Sequence, residues 1–206
     1  MIREIVAGWG HILARPQIRR VVLAKGAWAT GGGAQIFLLI LIGMEAGFGE
    51  VAAGIGVVYL CRGFGSGFGP LVSRPLMSKP SVMPYLIGLA LCGAGVFYLG
   101  VSTFEWGMLT LVCIFIAHGC SGVSWVFSTT LLQRRTDDEW MGRVAGTDNL
   151  IITLTMGVST IFAGLGMEYE VVTLREMLLI TAGIQISVGV LWLLLASPGE
   201  RAFLTD

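Results

Sequence analysis

Arg62, His118 and Asp148 stand inside long apolar stretches, where a charge costs about 2.5 to 3.5 kcal/mol on insertion scales, so their positions bear on chemistry. Arg62 falls midway along the stretch 51–72, His118 lies within 107–132, and Asp148 is near the start of 144–166. At helical spacing Tyr59, Arg62, Ser66 and Ser73 share one stripe; so do His118, Ser121, Trp125 and Ser128, and so do Asp148, Thr155 and Ser159. Thr30 and Gln35 add polar groups to a further stretch. Arg62 has two readings: a structural cation held by helix carbonyls or a carboxylate, or a substrate or gating residue. For His118 a packed neutral imidazole is favoured over a proton carrier. For Asp148, one turn or so past Arg143, a local gate or salt bridge is favoured over a midplane proton site. The Ser, Thr and Trp stripes suit interhelical packing as well as a cavity wall.

Catalysis finds little support in these residues. There is no HExxH, no pair of carboxylates within one apolar stretch, and no Ser/His pair that spacing could place together. Cys61, Cys92, Cys113 and Cys120 lie in apolar stretches without CxxC spacing, so neither a metal site nor a disulfide framework is indicated. The glycines at 63, 65, 67 and 69 follow no strand and form two overlapping GxxxG pairs, a helix-packing signal rather than a phosphate loop. A zero net charge gives no argument for nucleic acid. The expectation is therefore a non-enzyme without cofactor or metal.

The elements that must hold these side chains are set by hydropathy. With 55% hydrophobic and 13% charged residues and a mean hydropathy of +0.81, the 206-residue chain cannot be an ordinary water-soluble domain. Its 30 glycines suit close-packed membrane helices. Six apolar stretches of about twenty residues, 21–42, 51–72, 82–100, 107–132, 144–166 and 172–195, predict six spans rather than the short alternating strands of a barrel. Eleven of the thirteen Lys and Arg residues fall on the N-terminal side, all but Arg62 and Arg175. The other side carries Glu45, Glu50, Glu105, Glu168, Glu170 and Glu176. Both termini are thus expected on the cytoplasmic face of a cell (inner) membrane. Before the first span, Ile2, Ile5, Val6, Trp9, Ile12 and Leu13 fall on one helical face, predicting an amphipathic helix on the membrane surface that Pro16 ends. The predicted division is 1–18 surface helix, 19–198 transmembrane bundle and 199–206 cytoplasmic tail.

Two motifs resemble a known family. YLCRGFGSGFGP at 59–70, followed by Arg74, looks like the eighth helix of major facilitator superfamily transporters in the branch that includes macrolide and siderophore exporters. LQRRTDDEWMGRV at 132–144 is similar to that branch's loop between the tenth and eleventh helices, which usually has Pro where this chain has Asp137 and often Arg where it has Met141. The resemblance extends over nearly the whole chain as a C-terminal six-helix half, beginning inside the linker that joins the two halves. It implies an all-α fold of two inverted three-helix repeats with a binding cavity near the midplane. Spans one, two, four and five would line that cavity, with Gln35, Tyr59, Arg62, His118, Trp125 and Asn149 as candidates. Arg74, Arg134, Asp138, Arg143 and Asp148 would belong to a cytoplasmic gate. Spans three and six, poor in polar groups, would be peripheral.

The function expected is a half-size or truncated secondary transporter that exports small amphipathic molecules by rocking one bundle against another. The partners would be the lipid bilayer, a small-molecule substrate and a second six-helix bundle, either a copy or a separately encoded N-terminal half. Without that bundle the polar stripes would face hydrocarbon. The alternatives are a non-transporting accessory or assembly subunit of a membrane complex, or a non-functional gene fragment.

Overall fold

A computed structural model describes residues 2–79 and 81–202. The described chain is helical: α1 (Ile2–Ala14), α2 (Pro16–Glu45), α3 (Val51–Ser73), α4 (Met83–Thr103), α5 (Met108–Arg134), α6 (Asp138–Glu168), α7 (Leu174–Leu191) and α8 (Ser197–Ala202). A 3₁₀ turn, Arg74–Ser78, follows α3, and a π turn, Trp192–Ala196, joins α7 to α8. Among the described residues six helices are long and apolar enough to cross a membrane, the architecture of a multi-pass membrane protein.

Prolines and glycines place the boundaries. Pro16 does not end the surface helix by itself; it opens α2 at the first helical position, where its missing N–H is no loss. Arg15 before it is extended, as the residue preceding a proline tends to be. The predicted 1–18 segment is therefore shorter, and 16–18 belongs to the first span. The α2–α3 turn uses Gly47 and Gly49 at positive φ. Within α3, Pro70 cannot donate to the carbonyl of Ser66, and α5 approaches that carbonyl at Gly122, where a Cβ would lie 2.4 Å from it. Thr173 and Glu176 form a reciprocal capping box at the start of α7. The π turn precedes Pro198, whose ring nitrogen has no proton for the carbonyl of Leu194. Of the predicted tail 199–206, residues 199–202 belong to helix α8, with Glu200 fully buried, and 203–206 lie outside the described residues.

The side chains sort into two apolar cores. One, towards the α1 end, contains Ile18, Val22, Met83, Ile87, Phe127, Leu131, Val144 and Trp192. The other, towards the opposite end, contains Leu38, Ile42, Val58, Tyr98, Ile114, Ala117, Leu174 and Leu178. Along α2, α5 and α7 the residues between the two cores include Gln35, His118, Ser121 and Gln185, so a polar layer divides the bundle at mid-height. The packed helix pairs include α3 with α5, α4 with α5, α4 with α7, α2 with α6, and α2 with α3 and α7. Spans three and six, α4 and α7, are not peripheral by burial. α3 and α6 are the least buried of the six spans. They expose Leu60, Phe64, Phe68 and Leu71 on α3 and Leu154, Val158, Ile161 and Phe162 on α6, surfaces that require lipid or protein against them.

α1 lies against α6. Gly8 allows the approach, since a Cβ there would meet the Arg143 carbonyl at 2.7 Å. His11 stacks on Trp140 with ring centroids 4.2 Å apart, and Ile12 joins the adjacent core. Ile5, Val6, Trp9 and Leu13 remain exposed on the other side of α1, so the predicted apolar stripe divides between bundle and surroundings.

Candidate functional site

Between α2, α3, α5 and α6 the polar layer opens into a cavity of about 320 Å³. α2 contributes Trp28, Gly32, Gln35 and Ile36; α3, Arg62 and Ser66; α5, His118, Ser121, Gly122, Trp125 and Val126; α6, Ile152 and Met156. These are the first, second, fourth and fifth spans. Four of the six predicted cavity residues, Gln35, Arg62, His118 and Trp125, meet here.

Arg62 is the twelfth of the 23 residues of α3, so at 1.5 Å per residue it stands about 17 Å from either helix end. Its Nε is buried without a hydrogen-bond partner, and its guanidinium carbon lies 5.7 Å from the centre of the Tyr59 ring. The carboxylate holding that one reading of Arg62 supplied is absent among the described residues: none of their ion pairs includes it. Tyr59 does not line the cavity; its hydroxyl donates to the Ile36 carbonyl at 2.8 Å, pinning α3 to α2 beside Arg62. His118 Nε2 lies 2.8 Å from the Tyr98 hydroxyl, with the two rings edge-on, which agrees with the packed-imidazole reading. Tyr98, on the third span, carried no sequence signal. Gln185 Nε2 donates to Gln35 Oε1 at 3.4 Å across the layer. Trp28 and Trp125 form an aromatic wall, their ring centroids 5.7 Å apart and tilted by 53°. Ser159 is taken up by packing, since its hydroxyl donates to the Thr30 carbonyl and accepts from the Ala34 amide.

Beside the aromatic wall sits the pair that sequence reasoning missed. Lys25 Nζ meets Asp148 Oδ2 at 2.5 Å, donates to Thr129 Oγ1 at 3.3 Å, and stands 4.7 Å from the centre of the Trp125 ring. Both members are buried, at 5% and 3% exposure. Lys25 reads in sequence as one more positive charge at the membrane edge; its position inside the apolar run beginning at Val21 is the one signal that could have set it apart. Asn149 is exposed on α6 and does not line the cavity; it shares a stripe with the lining residues Ile152 and Met156 but stands nearer the start of the helix.

The five gate candidates do not form one cluster. Arg74 is exposed at the start of the 3₁₀ turn, and Asp138 is exposed in the first turn of α6. Arg134 reaches the Met83 sulfur at 3.9 Å. Arg143 pairs with Glu4 of α1 and lies over Trp140, so the suggested Arg143–Asp148 contact gives way to two separate pairs. The charge network that does form at this end joins Glu200 to Arg20 at 2.7 Å and to Arg135, which also donates to the Gln17 carbonyl at 3.0 Å. It ties the last helix to α2 and α5. Among the described residues no group of His, Cys, Asp and Glu could hold a metal ion. Comparison with known protein families, with curated proteins and with solved structures finds no match to this chain.

Proposed function

We propose that the chain is one bundle of a secondary transporter that moves small amphipathic molecules by alternating access after pairing with a second six-helix bundle. The observation that carries this reading is the mid-height cavity, built from four helices and holding an unpaired arginine where a single bundle would otherwise be apolar. Helix pairing supports a repeat. Advancing three helices converts the α3–α5 contact into the α6–α2 contact and the α4–α5 contact into the α7–α2 contact, while α4–α7 maps onto itself; the α2–α3 contact has no comparable α5–α6 counterpart among the described residues. Three crossings reverse the direction of the chain, so such a repeat is inverted, as in the major facilitator resemblance. α3 and α6 both line the cavity and are the least buried spans, which suits them to receive the second bundle. The excess of Lys and Arg on the N-terminal side supports a cell-membrane location with both termini cytoplasmic.

The test reconstitutes the purified chain in vesicles, alone and with any co-purifying six-helix partner, and compares flux of amphipathic dyes between wild type and Arg62→Ala, with native mass spectrometry reporting assembly. Flux that is lost in Arg62→Ala while assembly persists supports transport. Intact assembly with no flux in the wild type refutes it. The second reading, an accessory subunit, is favoured by the outer face of α3, where Gly56, Gly63 and Gly67 have nothing within 4 Å of an added Cβ. Such a surface admits another helix at close range.

A further inference from the structure

We infer that this cavity selects an organic anion with a flat apolar body, of the aromatic carboxylate class. The inference rests on reading the cavity as a substrate site and adds the charge of what enters it. The lining includes one permanent cation, Arg62, and no Asp or Glu. The other buried cation nearby, Lys25, is neutralised by Asp148 and contributes no net charge.

The unsatisfied polar atoms point the same way. Among the lining residues, the buried side-chain atoms without a partner are Arg62 Nε, Trp28 Nε1 and Gln35 Nε2. All are donors, and neither the guanidinium nor the indole N–H has an acceptor form. These atoms are themselves shut off from the cavity space, so a ligand meets Arg62 at the outer N–H groups of its guanidinium, which make no hydrogen bond among the described residues, and a carboxylate there forms the stronger charge-assisted hydrogen bonds. The rest of the wall, Trp125, Ile36, Val126 and Met156, is apolar or aromatic and offers area to a flat body rather than further hydrogen bonds. A cationic ligand would face Arg62 without a carboxylate to offset it.

Equilibrium dialysis of the full chain in zwitterionic phosphatidylcholine nanodiscs, with empty nanodiscs subtracted, tests this with three isosteric probes. They are naphthalene-2-carboxylate, the neutral naphthalene-2-carboxamide and the cationic naphthalene-2-methylammonium. The carboxylate is expected to bind wild type about 10- to 100-fold tighter than either other probe, the worth of hydrogen bonds to a charged group. Arg62→Gln should bring the three affinities together. Arg62→Lys, which keeps a cation but not the fork, should retain part of the preference. Equal or tighter binding of the carboxamide or the ammonium to wild type overturns the inference, as does absence of binding by all three. Unchanged carboxylate affinity in folded Arg62→Gln also overturns it. If that variant does not fold, the probe series on wild type decides alone. Charge-selective binding without flux in the vesicle assay leaves the anion site standing and refutes transport; flux without charge selectivity does the reverse.

Discussion

Removing one partner of the Lys25–Asp148 pair leaves the other charge inside the bundle with no carboxylate or ammonium to meet it. Both side chains are nearly inaccessible, Asp148 Oδ1 has no hydrogen-bond partner, and a stranded Lys25 would keep only the Thr129 hydroxyl and the Trp125 ring, neither of which carries a charge. Breaking a buried ion pair from one side costs about 3 to 5 kcal/mol, whereas replacing both members by apolar residues of similar size is often neutral or stabilising. For a chain of this length about 1 kcal/mol moves the unfolding midpoint by roughly 2 to 4 °C, so Lys25→Met or Asp148→Leu alone should lower it by roughly 6 to 20 °C. The double variant should return to within a few degrees of wild type, because the cost of each single change is the stranded charge rather than lost packing. Thermal unfolding in detergent, followed by tryptophan fluorescence and by retention of a monodisperse chromatographic peak, measures all four proteins side by side. Single variants as stable as wild type would show that water reaches the pair. A double variant that loses the sum of the two singles would refute the electrostatic account and leave shape as the explanation.

Gly65→Ala and Gly69→Ala should each destabilise the bundle by about 1 to 3 kcal/mol, because the new Cβ would stand 2.1 Å from the carbonyl oxygens of Phe115 and Gly119 on α5. In the same melts Gly63→Ala and Gly67→Ala, which meet open space, should leave stability unchanged or raise it by up to about 1 kcal/mol through helix propensity. Glu200→Gln strands Arg20 and Arg135 together and should cost about 3 kcal/mol, with faster proteolysis of the C-terminal helix as the local readout. The attachment of α1 should weaken with acidity. Burial first, and then the nearby Arg15, hold His11 below the usual histidine value near 6.5, and Arg15 Nη1 stands 2.9 Å from its Nδ1, an atom that can accept in the neutral ring. The detached or unfolded state then binds a proton more readily, so the stabilisation is full above about pH 6.5 and declines as the pH falls towards the lowered value. Amide protection factors across 2–14, taken relative to intrinsic exchange at each pH, should fall as the pH is lowered over that range in wild type and stay constant in His11→Phe.

How much of this was legible beforehand follows from which properties are linear in the chain. The six spans were readable, because a bilayer asks for about twenty consecutive apolar residues and that is counted along one sequence. The structure extends the helices by a few residues at several ends, chiefly at the start of α6, which begins at Asp138 rather than Val144, and of α2, where Pro16 starts a helix that hydropathy alone begins at Val21. The convergence of Gln35, Arg62, His118 and Trp125 was also readable, since a polar stripe at helical spacing has to face away from lipid.

Partners were not readable. Lys25 and Asp148 are 123 positions apart, and nothing local to either says that α2 and α6 bring them together. Glu200 looks like a charge beyond the last span until Arg20 and Arg135 are placed around it. Tyr98 sits in a span with no charge, and only the packing of α4 on α5 sets its hydroxyl against His118. The two GxxxG pairs are alike in sequence, yet residues two positions apart point to nearly opposite faces of a helix, so only one pair can meet a given neighbour. The sequence by itself therefore determined which segments lie in the membrane and which side of each helix avoids lipid, because both are properties of one helix and its solvent. Tertiary structure decided which charge meets which, which glycine face is filled and which donors stay open, because these depend on the rotation and neighbours of several helices at once.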